Sequence, residues 1–295
     1  MDVRRLYPSY PWLIRAGWLA LPFAAGPAYG AALHPHSDAV RLAATILLWA
    51  GWAVVLLGTL VPHPLGLTAL RLAAPAAAVA AMAAATTGRP SVAAATAAVG
   101  VTGLDLVLAI APPTGAWYVN GPAYPNERRY PLRPPGPLLL GPLELSWAAV
   151  VGAPVGAILL LAARSWLAGA VTLLVGLPVA VVLARSLHGL SRRWLVFVPA
   201  GVVLHDPITL LDPVLFPRRT IEALRPAPAQ SDSLDLTQGA LGLTLELVLT
   251  EKVPMTRARP GQLGGEQGAS ARLLFTPTRP GQVLAEAARR RVPVG

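Results

Sequence analysis

The chain has 295 residues, of which 54% are hydrophobic and only 13% are charged. A typical soluble domain has about 45–50% apolar residues with glycine included and about 25% charged residues. This composition excludes a disordered chain and argues against a soluble enzyme. The class that remains is a protein with several membrane spans.

Cysteine and charge narrow the possible chemistry. The chain has no cysteine, which excludes disulfides, thiolate nucleophiles and cysteine-ligated metal sites. The net charge of +10 is spread along the chain, with 10 basic and 5 acidic residues in 1–184 and 14 and 9 in 185–295. A nucleic-acid binder concentrates such charge on one face. We therefore expect no nucleic-acid partner and assign the charge to membrane orientation and to attraction towards anionic headgroups.

Runs without charged residues locate the membrane spans. The run between Arg41 and Arg71 has 29 residues, and a spanning helix needs about 20 mostly apolar residues. We predict an all-α bundle of about six transmembrane helices within residues 1–185. The predicted spans are about 13–33, 42–61, 69–87, 91–111, 145–163 and 166–184.

Residues 112–144 lie between the fourth and fifth predicted spans and contain nine prolines. Proline at this density disfavours helix and central strand and favours extended backbone. The sequence therefore predicts a long cytosolic loop here.

The arginines predict the orientation of the bundle. With six spans both termini lie on one side, and cytoplasmic loops carry the excess of basic residues. That side collects ten arginines and the other three, so we expect both termini in the cytoplasm and the chain in a bacterial cytoplasmic (inner) membrane. The ten are Arg4, Arg5, Arg15, Arg71, Arg128, Arg129, Arg133, Arg185, Arg192 and Arg193, and the three are Arg41, Arg89 and Arg164.

The sequence after Arg185 has the pattern of β-structure. Two apolar runs, 194–198 and 202–205, flank a Pro–Gly turn and predict a hairpin. Leucines alternate with other residues in 241–250, which predicts a strand, whereas 252–267 has the glycines of a loop. Residues 280–291 are predicted to form a helix that begins at Pro280. Residues 190–295 are thus expected to form a small antiparallel β-barrel or roll with one closing helix.

Four stretches of this region carry a family resemblance. They are WLVFVPAGVVLHD, FPRRTIEAL, the alternating strand and RLLFTPTRPGQVLAEAARRR. With them, residues 190–295 resemble the bacterial pleckstrin-homology-like (PH-like) domains that follow membrane helices. The resemblance covers about a third of the chain. It implies a small, bent antiparallel barrel capped by the C-terminal helix, and an interaction role without fixed catalytic residues.

Asp105 is the only acidic residue well inside a predicted span. An intramembrane carboxylate is costly and is usually paired or functional. It is a candidate for cation binding, proton relay or pairing with an arginine. The alternative is a neutral Asp105 that hydrogen-bonds Thr102 or a backbone carbonyl.

Two groups of polar residues are candidates for contact with phosphate or lipid, because arginine offers planar, bidentate donors. Their alternatives are orientation by positive charge and ordinary solvated charge. The first group is Glu127, Arg128, Arg129 and Arg133, and the second, a candidate basic rim facing the bilayer, is Arg192, Arg193, Arg218, Arg219 and Arg225.

No nucleotide-binding, hydrolase or metalloprotease motif is present. We therefore predict a non-enzymatic membrane protein that presents a cytosolic interaction or assembly domain, with no metal or cofactor. Its expected partner is another membrane protein or the anionic lipid surface. One alternative is a small-solute transporter or channel that uses Asp105 and residues 126–133. Another is a membrane-embedded lipid-phosphate transferase that uses the Glu127 group.

Overall fold

The computed structural model describes residues 10–259 and 262–295, and the chain divides into two compact units. The helical unit comprises Met1–Gly121 and Glu144–Leu187. The β unit comprises Pro122–Leu143 and His188–Gly295. Each unit is therefore built from two stretches of chain.

The helical unit follows the charge-free runs. Its helices are α1 (Tyr10–Leu33), α2 (Asp38–Leu60), α3 (Pro64–Thr87), α4 (Val92–Ile110), α5 (Pro112–Asn120) and α6 (Pro142–Ala162), followed by α7 (Trp166–Val171) and α8 (Leu177–Leu190). A π-helical turn over Thr172–Gly176 joins α7 to α8, so that the two run as one helix.

Within the described ranges, five helices are long and apolar enough to cross a membrane: α2, α3, α4, α6 and the combined helix Trp166–Leu190. This is the pattern of a multi-pass membrane protein. The count of such helices is five rather than the predicted six, because α1 has the length of a span but falls short in apolar composition. Arg15, Pro22 and Pro27 lie within it. Its packing explains the difference, because α1 lies among α2, α3 and α4 and buries residues such as Trp18.

Polar contacts hold α1 against its neighbours. Arg15 donates from Nε and Nη2 to the carbonyl oxygen of Thr59 in the last turn of α2, over 3.1 and 2.8 Å. Trp18 and Trp52 each donate the indole N–H to the other's carbonyl oxygen, over 2.9 and 2.8 Å. Each contact satisfies a polar group that lipid would leave unpaired.

The expectation of one continuous loop over 112–144 is wrong. This region contains α5, strand β1 (Arg128–Pro131) and a 3₁₀ turn (Gly136–Leu140). Pro112 and Pro113 occupy the first turn of α5, where a backbone N–H has no partner within the helix. Pro131 ends an edge strand, which is where a sheet tolerates proline.

The β unit has two four-stranded sheets. After β1, its elements are β2 (Trp194–Val198), β3 (Gly201–His205), β4 (Val214–Pro217), β5 (Ile221–Pro226), β6 (Leu234–Asp235), β7 (Leu245–Arg259), β8 (Gln262–Phe275) and α9 (Pro280–Arg289). One sheet has the order β1-β2-β3-β4 and the other β5-β7-β8-β6. All neighbouring strands are antiparallel except β6 and β8.

These sheets confirm a mostly antiparallel C-terminal region with one helix after it. The predicted hairpin is β2–β3, in which Trp194 pairs with His205. The loop predicted over 252–267 is wrong, because β7 and β8 extend through it as a long hairpin. In the described parts of the chain the strands pair into two separate sheets, not into a closed barrel. One apolar core lies between the sheets and α9, with Phe197, Leu247 and Val283 at its centre.

Candidate functional site

Strand β1 is an insertion into the β unit from a distant part of the chain. It pairs antiparallel with β2 along its whole length, from Arg128 opposite Phe197 to Pro131 opposite Trp194. Further backbone bonds extend this attachment, since Leu132 N–H donates to the Arg193 carbonyl and Arg133 N–H to the Thr276 carbonyl. The segment between α5 and α6 is therefore an integral part of the fold of the β unit.

A buried ion pair lies where the inserted segment meets β2. Arg193 donates to Asp206 through two bonds of 2.7 Å, and each side chain is only 1% exposed. The third donor of Arg193, Nη1, reaches the carbonyl oxygen of Arg133 over 2.8 Å. Arg193 thus cannot belong to the predicted basic rim, because its charge faces the interior of the domain.

Helix α9 holds the inserted segment from the other side. Tyr130 packs edge-on against Phe197, and its hydroxyl lies 3.4 Å from Oε2 of the buried Glu286. Burial raises the pKa of Tyr130 above its ordinary value, although nearby arginines oppose this. Glu286 also pairs with Arg289 and Arg290, and Arg290 donates to the carbonyl oxygen of Asn126. Two buried carboxylates, Asp206 and Glu286, therefore position β1.

The Glu127 group forms contacts within the β unit. Both oxygens of Glu127 accept from Arg129, over 2.8 and 3.2 Å. This pairing holds the pKa of Glu127 below its usual range. The guanidinium of Arg129 also lies 5.3 Å from the ring centre of Trp194, which stacks on His205. Glu127 and Arg129 thus neutralise each other, whereas Arg128 is exposed.

The remaining members of the predicted rim have different environments. Arg192, Arg218 and Arg219 are exposed, and Arg218 donates to the carbonyl oxygen of Arg291. Arg225 is partly exposed and donates over 2.8 Å to Glu246, a carboxylate that is 1% exposed.

The carboxylate of Glu246 has a second set of donors. Ser231 and Ser233 donate to its other oxygen, over 2.9 and 2.6 Å. Burial acts to raise the pKa of Glu246, but these hydrogen bonds and the one from Arg225 outweigh it and the pKa is lowered. Glu246 therefore anchors the 231–233 segment to β7.

Asp105 lies in the helical unit, apart from the Glu127 group in sequence and in unit. It is 3% exposed and faces Gly17 of α1, where an added Cβ would lie 2.1 Å from its Oδ1. Its Oδ2 has no hydrogen-bond partner among residues 10–259 and 262–295. Thr102 donates to the carbonyl oxygen of Ala98 over 2.7 Å, not to Asp105. One carboxyl oxygen of Asp105 is thus enclosed without a hydrogen-bond partner among the described residues.

Three buried carboxylates escaped the sequence reasoning: Asp206, Glu246 and Glu286. Each lies in or beside an apolar stretch of a predicted strand or helix, and that position is the feature of the sequence that could have indicated a buried carboxylate. The arginine partners of Asp206 and Glu246 are distant in sequence, whereas those of Glu286 are its neighbours in α9. Within the described residues, no group of three or more potential metal ligands is present.

Comparison with known proteins returned no match. No family model matches the chain, and no curated protein or solved structure does so. The PH-like resemblance therefore depends on the four sequence stretches alone.

Proposed function

We propose that this chain is a multi-pass protein of a bacterial cytoplasmic membrane that holds a PH-like interaction or assembly domain on the cytoplasmic side. One observation carries the proposal: β1, which lies between α5 and α6, forms an edge of the same sheet as β2, which follows α8. The β unit is thus joined to the helices by three stretches of backbone rather than by one linker. Such an attachment suits a domain that presents a fixed surface to a partner.

The strand pairing also supports the proposed orientation. Because β1 pairs with β2, residues 122–143 and 188–295 lie on one side of the membrane. Helix α6 then crosses to the opposite side and the combined α7–α8 helix returns. Three arginines then flank the spans on the opposite side, at Arg41, Arg89 and Arg164, whereas the stretches of the β unit next to α6 and α8 carry five: Arg128, Arg129, Arg133, Arg192 and Arg193. This asymmetry favours the cytoplasm for the β unit. Arg15 binds the end of α2 on that same side, which supports a cytoplasmic start of α1.

The polar contacts favour an interaction role over transferase chemistry. A transferase would need Glu127 free to act as a base, yet both of its oxygens accept from Arg129. The exposed Arg128, Arg192 and Arg219 remain available for an acidic partner protein or for anionic headgroups.

Affinity purification from gently solubilised membranes tests the proposal. The full chain is compared with a variant in which 190–295 is removed and 122–141 is replaced by a Gly/Ser linker, because removing 190–295 alone would leave β1 without its partner strand. Arg192→Gln and Arg219→Gln in the full chain test the exposed charge. We expect the co-purifying membrane proteins to be lost with the domain, and identical co-purification would contradict the proposal. A reporter fused after Gly295 that is active only in the periplasm would contradict the orientation.

A second candidate function is favoured by Asp105. A buried carboxyl group with an unpartnered oxygen inside a helical bundle is typical of a cation or proton path. Asp105→Asn keeps the shape and removes the ionisable group. Loss of proton or Na⁺ flux into proteoliposomes, with folding unchanged, would support transport, whereas the same flux in both proteins, or none, would dismiss it. Gly100→Ala, on the same helix, is the control.

A further inference from the structure

Four exposed leucines of the β unit lie on two segments that touch each other. The first segment is the 3₁₀ turn Gly136–Leu140, in which Leu139 is 39% and Leu140 is 86% exposed. The second is 239–243, in which Leu241 is 67% and Leu243 is 51% exposed. Single exposed leucines are common on protein surfaces, whereas a contiguous group of them marks a site of interaction with a protein or a membrane.

Backbone contacts fix the second segment against the first. A Cβ on Gly136 would lie 2.2 Å from the carbonyl oxygen of Gly239, so only glycine allows this approach. Gly239 and Gly242 both have positive φ, +68° and +117°, a conformation that favours glycine. The segment is thus held in a shape that leaves Leu241 and Leu243 exposed beside the 3₁₀ turn.

The first segment leads directly into a spanning helix. Leu140 precedes Pro142, the first residue of α6, by two positions, so their Cα atoms are at most about 7.6 Å apart. Leu145, in the first turn of α6, is 73% exposed, as a residue that faces lipid is. We expect a residue this close to the start of a span to lie in the interfacial layer of the bilayer. The 239–243 segment contacts the same turn at Gly136.

We propose that residues 239–243 form an interfacial anchor, in which Leu241 and Leu243 insert at the boundary between headgroups and acyl chains beside Leu139 and Leu140. Arg133 supports this assignment, because its guanidinium packs against Gly242, where a Cβ would lie 2.9 Å from Nε. A cation at that depth meets the phosphates of anionic headgroups. The continuity with α6 favours lipid over a protein as the occupant. The anchor rests on the proposed function, since it describes how the interaction domain is held at the membrane.

The absence of cysteine makes the test direct, because any introduced thiol is the only one. Leu241→Cys and Leu243→Cys are made in the full chain, labelled with an environment-sensitive fluorophore and reconstituted in vesicles of phosphatidylcholine and phosphatidylglycerol. Leu145→Cys is the lipid-facing reference. Leu215→Cys is the matched control, since Leu215 is an exposed leucine of the β unit on strand β4 and belongs to neither 136–140 nor 239–243.

We expect spin-labelled lipid to quench the fluorophore at 241 and 243 at least twofold more than at 215, and aqueous iodide to quench it less. Equal quenching at 241, 243 and 215, with strong quenching at 145, would overturn the anchor. Arg133→Gln is expected to reduce lipid quenching at 241 in vesicles with phosphatidylglycerol but not in phosphatidylcholine alone. An unchanged signal would remove Arg133 from the proposal.

These outcomes are separable from those of the proposed function. If the labels at 241 and 243 behave like the control while partner proteins still depend on the β unit, the anchor is wrong and the interaction role stands. If the labels are quenched by lipid while co-purification is unaffected by removal of the β unit, the anchor stands and the interaction role is wrong.

Discussion

Replacing Arg193 by methionine tests whether the inserted strand is held by the buried ion pair. Methionine keeps much of the apolar stem of arginine but removes every donor. The carboxylate of Asp206, which is 1% exposed, would then keep one donor among the described residues, the N–H of Ile208 at 3.2 Å. The carbonyl oxygen of Arg133 would lose its bond from Nη1 as well.

The magnitude follows from the burial of the pair. Removing one partner of a buried ion pair costs about 3–5 kcal/mol, because it leaves an uncompensated charge in the interior. Since 1.36 kcal/mol corresponds to a factor of ten, the equilibrium for opening of the domain is expected to rise roughly 10²–10⁴-fold. Replacing both partners, as in Arg193→Met with Asp206→Leu, removes the stranded charge. We expect this pair to recover most of the loss and to leave about 1–2 kcal/mol for the unpaired carbonyl of Arg133.

A buried thiol provides the assay. Val202 is fully buried in β3, so Val202→Cys in the cysteine-free chain reacts with a thiol reagent only when the domain opens. The labelling rate of the full-length protein in detergent then reports the opening equilibrium. Arg192→Met is the matched control, since it removes the same charge from an exposed neighbour, and it is expected to change stability by less than about 0.5 kcal/mol. A labelling rate for Arg193→Met within fivefold of the parent would refute the reasoning.

Three further predictions concern other parts of the molecule. Gly17→Ala is expected to destabilise the helical unit by about 1–3 kcal/mol through overpacking against Asp105. The control Gly100→Ala, with no atom within 4 Å of the added Cβ, is expected to be neutral. Equal unfolding midpoints of the two variants in detergent would contradict this prediction. Tyr130→Ala is expected to cost about 3–5 kcal/mol because it empties a core position of the inserted strand, and a thiol-labelling rate equal to that of the conservative Tyr130→Phe would contradict it. Burial lowers the pKa of His205 from its ordinary 6.5, so the folded state binds the proton more weakly than the unfolded state. The stability due to the neutral imidazole is therefore complete above pH 6.5 and is lost as the pH falls through the lowered pKa. His205→Gln should reduce the change in the urea unfolding midpoint between pH 7.5 and 5.5.

Much of the helical unit was predictable because its signals are local. Lipid requires about 20 apolar residues in an unbroken helix, and the uncharged runs show where five such helices lie. Helix α1 was the exception, because its packing among other helices relaxes the demand for apolar composition. Asp105 was found from its position in a span, but its contact with Gly17 depends on the packing of α1 against α4.

The β unit shows the limit of local reasoning. The β2–β3 hairpin follows from two apolar runs around a turn, since both partners lie within a few residues. The nine prolines of 112–144 predict a loop, because proline disfavours central strands. The prediction fails at β1, because proline is tolerated at the edge position that β1 occupies. The basic residues around Arg193 predict a basic surface. The fold instead places Asp206 against Arg193 and buries both side chains.

The sequence by itself determined that this is a membrane chain with several spans followed by a β-rich C-terminal region. The length of an apolar run and the alternation of a strand depend on neighbouring residues, so both can be recognised from the sequence. Only the tertiary structure decided that β1 joins β2, that Arg193 faces inward and that 239–243 lies against 136–140. Each of these depends on which distant segments meet, and the free energy of such pairing comes from both partners at once.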